Sequence, residues 1–112
     1  MTEPIEITPE QARTRLTAEP KRAVLIDVRE PEELALARVA GAQLVPMQAV
    51  PGTLQQLEAT ADEHDLLILC HHGVRSLQVA SWLRERGIEN SYSVAGGIDR
   101  WSRELDPSVA RY

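Results

Sequence analysis

Seven consecutive residues in this sequence could do chemistry: the only cysteine, Cys70, followed by His71, His72, Gly73, Val74, Arg75 and Ser76. A thiol is a strong nucleophile when ionised, and thiolates are favoured beside helix N-termini and basic side chains. An ordinary thiol is only a few per cent ionised at neutral pH. Each unit of pKa depression corresponds to ~1.4 kcal/mol, so an environment worth about two units makes such a group mostly anionic. Gly73 can take positive φ or let the backbone approach closely, as a loop that curls its amides inward requires. Arg75 adds a fixed cation that can hold an anionic group through a fork of hydrogen bonds.

The bland reading of Cys70 is a packing residue at the end of a buried strand. The polar run after it, and the helix that run introduces, favour a nucleophile. Cys70, His71 and His72 offer three metal-ligand types, but consecutive residues rarely converge on one tetrahedral ion, so no metal is expected. The two histidines suit loop packing better than proton donation. His64 is expected at the surface, and Trp82 and Trp101 in the core.

These residues need elements to hold them. Asp65 to Cys70 reads as a strand buried on both faces, with Cys70 its last residue, and Ala23 to Val28 repeats that signal. Ile5 to Ile7, Gln43 to Pro46 and Ser91 to Val94 read as shorter strands. Helices are expected from Pro9 to about Arg15, with Thr8 as N-cap, from Glu30 onwards, and from Pro51 to about Ala61. A further helix spans Val74 to Arg86 and is stopped by Gly87. On it Leu77, Ala80 and Leu83 share the apolar face, with Ser76 and Gln78 away from it. Gly96 and Gly97 turn the chain, beneath the Cys70 loop, into a last helix that ends before Pro107. Arg100 and Arg103 fall on its solvated face.

Strands alternating with helices at these spacings predict an α/β fold. The expected architecture is an open, mainly parallel sheet of about five short strands with helices on both faces. In such a sheet ligands collect beyond the carboxyl ends of the strands, which is where Cys70 falls. The helix from Val74 would aim its positive N-terminus at the thiol.

The 112 residues suit one domain, 1–112, with Leu, Val, Ile and Ala supplying most of the core because Phe is absent. A lone cysteine cannot close an internal disulfide, which points to a reducing compartment. The start, MTEPIEITPE, carries acids and prolines where a signal peptide needs an apolar run of ~7–15 residues. Nothing approaches the ~18 consecutive apolar residues of a membrane span. A cytoplasmic protein that does not engage membranes is expected. The net charge of -5 argues against nucleic acid as partner but leaves small anions open, because a local site can be positive through backbone amides and one arginine.

Four stretches, Leu25 to Glu33 (LIDVREPEE), Gly41-Ala42, Cys70 to Ser76 (CHHGVRS) and Gly96 to Trp101 (GGIDRW), together resemble the single-domain rhodaneses. The likeness runs over nearly the whole chain in the family's order. It implies a sulfurtransferase in which Cys70 becomes a persulfide and needs no other cofactor. It also implies that the His71 to Ser76 loop supplies stabilising amides, that Arg75 faces the substrate, and that Asp27 and Arg29 brace the site from a neighbouring strand end. The implied partners are a small anionic sulfur donor such as thiosulfate and an acceptor that is cyanide or a thiol, a protein thiol included. Asp27 and Arg29 are expected to pair structurally with each other.

Related phosphatases and arsenate reductases carry their arginine one residue further from the nucleophile than Arg75 is from Cys70. The tighter cradle suits one sulfur atom better than a tetrahedral oxyanion. The sequence departs from the family at Ala37-Arg38-Val39, where Gly-His-Ile is common, and at His71 and His72, where thiosulfate-specialised members carry strong cations. The alternative to an enzyme is a rhodanese-like binding module that relays sulfur or regulates a partner with little turnover.

Overall fold

The computed structural model describes residues 3–112 and contains a five-stranded, wholly parallel sheet. The strands are β1 (Glu6–Ile7), β2 (Ala23–Asp27), β3 (Gln43–Leu44), β4 (Asp65–Leu69) and β5 (Ser91–Val94), in the spatial order β1-β5-β4-β2-β3. The helices are α1 (Pro9–Thr17), α2 (Pro31–Leu36), α3 (Leu54–Ala61), α4 (Val74–Glu85) and α5 (Gly97–Glu104). β4 is central. It pairs with β2 from Ala23 opposite Asp65 to Asp27 opposite Leu69, and with β5 from Leu66 opposite Ser91 to Ile68 opposite Ser93.

Successive side chains of a strand point to opposite faces, so the continuous apolar run of β4 feeds two cores at once. Leu67 and Leu69 join Leu25, Tyr92 and Val94 beneath Ala12 of α1 and Ile98 and Trp101 of α5. Leu66, Ile68 and Cys70 join Val24 and Ile26 beneath Leu57 of α3 and Val79, Ala80 and Leu83 of α4. Leu66 to Leu69 are all fully buried, and burial of each such side chain contributes about 1.5–3 kcal/mol. The same alternation delivers Cys70 to the α3/α4 side.

The α/β expectation and all five strands are present. Several boundaries differ. β4 stops at Leu69, so Cys70 is the first residue past the strand and begins the loop. The stretch expected as one helix from Pro51 opens with a 3-10 turn, Pro51–Thr53, where Gly52 disfavours a regular helix; α3 proper starts at Leu54. α4 ends at Glu85, with Arg86 as its cap. Its buried face carries Ser76, Val79, Ala80 and Leu83, whereas Leu77 is only half-buried. The apolar stripe is therefore rotated from the expected one, and Ser76 lies on it. His64 is half-buried, not at the surface, and its carbonyl accepts from Asn90 Nδ2. Trp101 is in the core as expected, while Trp82 packs at its edge, half-buried.

Candidate active site at the Cys70 loop

The loop that follows β4 folds around one atom, the Cys70 sulfur. The backbone N–H of Gly73 donates to Sγ at 3.1 Å and that of Ser76 donates to it at 3.3 Å. The thiol in turn donates to Ser76 Oγ at 3.3 Å, and Ser76 Oγ shares a hydrogen bond of 2.7 Å with Ser93 Oγ. All of these contacts are buried, and Cys70 is 1% exposed. Burial alone disfavours an anion, but here fixed N–H dipoles replace the water that burial removes. The hydroxyl pair can serve both states of the sulfur. When Cys70 carries its proton, Ser76 accepts from it and donates to Ser93; when the sulfur is anionic, Ser93 donates to Ser76, which turns its proton to the sulfur.

Two glycines make the fit possible. Gly73 precedes α4 at φ 101°, a backbone conformation that L side chains rarely adopt, and this turn points its amide back at the sulfur. Gly97, at φ 61°, lets the start of α5 pass under the loop: a Cβ there would stand 2.5 Å from the Cys70 carbonyl oxygen. That close approach allows Ile98 N–H to donate to the Cys70 carbonyl at 2.8 Å and Asp99 N–H to the His71 carbonyl at 3.1 Å. The loop's carbonyls are thereby tied down to α5, which leaves its amides facing the sulfur.

Arg75, on the first turn of α4, does not stand free. Its Nη1 and Nη2 donate to the two carboxylate oxygens of Glu33 on α2, at 2.6 and 3.0 Å. This two-pronged ion pair holds the Glu33 carboxyl down at about 2, and the same contact raises Arg75 further above its already high value. Glu33 Oε1 also accepts the Glu30 N–H at 3.1 Å, which closes the first turn of α2. Glu33 Oε2 accepts from the Tyr112 hydroxyl at 2.5 Å, and that hydroxyl accepts from Arg29 Nη1 at 2.9 Å.

Behind this cluster lies a charge that is almost never buried unless paired. Arg29 is 0% exposed. Its Nε and Nη2 grip the Asp27 carboxylate, with a shortest contact of 2.7 Å, and it donates to the Glu33 and Ala37 carbonyls at 3.3 and 2.8 Å. The expected structural pair is therefore present, and it links the end of β2 to α2 and to Tyr112. The Ala37-Arg38-Val39 departure is accommodated because Arg29 needs only the Ala37 carbonyl there. The Tyr112 ring stacks on His71 with centroids 3.8 Å apart, His71 stacks on His72 at the same spacing, and His71 Nε2 lies 2.8 Å from the Tyr112 main-chain oxygen. Both histidines thus pack at the rim; neither hydrogen-bonds the sulfur.

The structure brings Cys70, Gly73 and Ser76 together, with Arg75 turned to Glu33, while Val74 is 67% exposed and points outward. Sequence reasoning did not single out Ser93, Glu33 or Tyr112. Ser93 and Glu33 had usable signals: a serine amid a buried strand, and an acid inside the LIDVREPEE stretch. Tyr112 had none. Among the described residues no three His, Cys, Asp or Glu side chains come close enough to hold a metal ion, and no helix is long and apolar enough to cross a membrane.

The family model described as Rhodanese-like domain matches residues 8–104, a span that includes the strand, the Cys70 loop and the helix after it. The chain belongs to the rhodanese-like domain family. One similar rhodanese-like relative is the thiosulfate sulfurtransferase GlpE of Actinobacillus succinogenes, 36% identical over 108 residues, covering 96% of this chain and 92% of that protein. Another is rhodanese-like/PpiC domain-containing protein 12, chloroplastic, of Arabidopsis thaliana, 37% identical over 91 residues. That match covers 80% of this chain and only 30% of the plant protein's length. Among solved structures the human single domain sulfurtransferase TSTD1 superposes with a TM-score of 0.77 at 25% identity, covering 91% of this chain and 98% of that one. The open parallel sheet described above is thus the rhodanese-like fold.

Proposed function

We propose that this protein is a rhodanese-type sulfurtransferase that carries sulfane sulfur as a persulfide on Cys70. The observation that carries the reading is the convergence of the Gly73 and Ser76 N–H groups on the Cys70 sulfur. Donors aimed at an atom where negative charge resides stabilise it without reorganisation, most effectively where water is excluded. The name of the GlpE relative supports thiosulfate as one donor.

The reaction balances in two steps. The Cys70 thiolate attacks the outer sulfur of thiosulfate; the new S–S bond forms as the old one breaks, and its electron pair leaves with sulfite. The acceptor, cyanide or an external thiolate, then attacks the outer sulfur of the persulfide and leaves as thiocyanate or a new persulfide, returning Cys70 as thiolate. This is a double-displacement scheme. Because Cys70 is the only cysteine, the discharging nucleophile comes from outside the chain. The cycle needs no cofactor beyond the thiol. A lone thiol kept reactive also suits a reducing compartment such as the cytoplasm.

A second reading rests on the 1% exposure of Cys70. A sulfur this enclosed also fits a domain that relays sulfur to a docked partner and turns over small donors slowly. Thiocyanate formation from thiosulfate and cyanide separates the two. Multiple turnovers by the parent and none by Cys70→Ser support the enzyme. Persulfide formation without turnover selects the relay, and no reaction with any sulfane donor contradicts both. Turnover of arsenate or a phosphate ester would place the protein instead with the oxyanion enzymes.

A further inference from the structure

Arg75, the cation next to Ser76 in the sulfur-binding turn, is already neutralised. Both terminal nitrogens of Arg75 are spent on Glu33, at 2.6 and 3.0 Å, and the Tyr112 hydroxyl holds Glu33 Oε2 from the other side. An arginine meant to capture a dianion offers its planar fork to that ligand; here the fork faces a resident carboxylate. The second arginine nearby, Arg29, is fully buried and committed to Asp27. The two arginines are thus each balanced by a carboxylate, and the remaining attraction for an anion is that of the loop's amides.

We propose that Glu33 determines the charge of the sulfur donor: by neutralising Arg75 it sets the site against dianionic thiosulfate and towards singly charged alkyl persulfides. This inference rests on the sulfurtransferase reading above, which fixes the donor as a sulfane sulfur compound. Glu33 touches no reacting atom. It is a positioning residue that acts through Arg75, whose neighbour Ser76 donates directly to the Cys70 sulfur. A free unit of positive charge attracts a dianion about twice as strongly as a monoanion at the same distance. Removing Glu33's charge should therefore favour thiosulfate over a persulfide.

Glu33→Gln keeps an amide oxygen to accept the Glu30 N–H but can no longer offer Arg75 two acceptors. The expected outcome is a thiosulfate KM roughly tenfold lower, with kcat changed far less and with the KM for 2-mercaptoethanol persulfide moving by a smaller factor. A measurement that does not depend on sulfur transfer runs beside it: alkylation of Cys70 by iodoacetate, an anion, against iodoacetamide, its neutral counterpart. The iodoacetate-to-iodoacetamide rate ratio should rise several-fold in Glu33→Gln, stay near the parent's in Glu33→Asp, which keeps the charge, and lose the gain when Arg75→Gln is added. Should Glu33→Gln not fold, Glu33→Met carries the same expectation. A ratio that is unchanged on removing the charge, or that rises equally with Arg75 absent, overturns the proposal. If the ratio responds as expected while no variant transfers sulfur, the sulfurtransferase reading fails and the electrostatic role of Glu33 stands.

Discussion

Ser76 contributes twice to the sulfur's surroundings, through its amide and through a hydroxyl that Ser93 can orient. Substituting Ser76→Ala keeps the amide and deletes the hydroxyl. A hydrogen bond to a charged group is worth about 1.5–3 kcal/mol, so the rate of sulfur uptake from thiosulfate is expected to fall by a factor of roughly ten to a hundred. Stopped-flow or steady-state rates against the parent check this, and an unchanged rate removes the hydroxyl from the site. At this scale the sequence was informative where partners are neighbours. Cys70, Gly73, Arg75 and Ser76 fall within seven consecutive residues, and a short loop between a buried strand and the first turn of a helix has few ways to run. Ser93 lies 17 residues further on and enters only because β5 pairs with β4. Ser76 lies on the buried face of α4 and not away from it, because leucine spacing alone sets the expected stripe and a serine gives no apolar signal.

α2 shows how an element can matter without a core of its own. It buries none of its residues fully, yet it presents Glu33 to Arg75 and so joins itself to the first turn of α4. The pH dependence of this link follows from Glu33, whose carboxyl is held at about 2 rather than its ordinary 4.5 by the Arg75 hydrogen bonds foremost. A carboxyl with a depressed folded-state value contributes stability that is full above the unfolded value and is lost as pH falls through the folded one. The stability advantage of the parent over Glu33→Gln is accordingly expected to shrink as pH falls from 4.5 towards about 2. Urea midpoints of both proteins across that interval measure it. Glu3 and Asp99, also lowered by arginine contacts or a tyrosine hydroxyl, are common to both proteins and cancel in the difference. A constant gap would show that the ion pair contributes nothing to folding. The start of α2 was legible from Glu30-Pro31, but its partner was not. The charge pairs of Glu33 and Arg75 span 42 residues, and nothing in a pattern of single residues says which acid an arginine will meet.

For the whole molecule, period and punctuation carried most of the fold. Two largely apolar runs, Ala23 to Val28 (interrupted by Asp27) and Leu66 to Cys70, demand burial on both faces, and only a sheet covered by helices on each side provides it. That requirement places β4 at the centre and its carboxyl end, with Cys70, beneath the start of α4. What the pattern left out is the closure of the site from behind, where Arg29, Glu33 and Tyr112 join segments far apart in sequence. Tyr112 carries no local signal, since a lone tyrosine outside any periodic run can lie anywhere on a surface. The central claim remains that the amides of the Cys70 loop stabilise negative sulfur in place of water. The most direct test is the intact mass of the protein after incubation with thiosulfate and removal of excess reagent. The account predicts a gain of one sulfur atom that is absent in Cys70→Ser and is reversed by cyanide; no gain, or a gain that persists without Cys70, would contradict it.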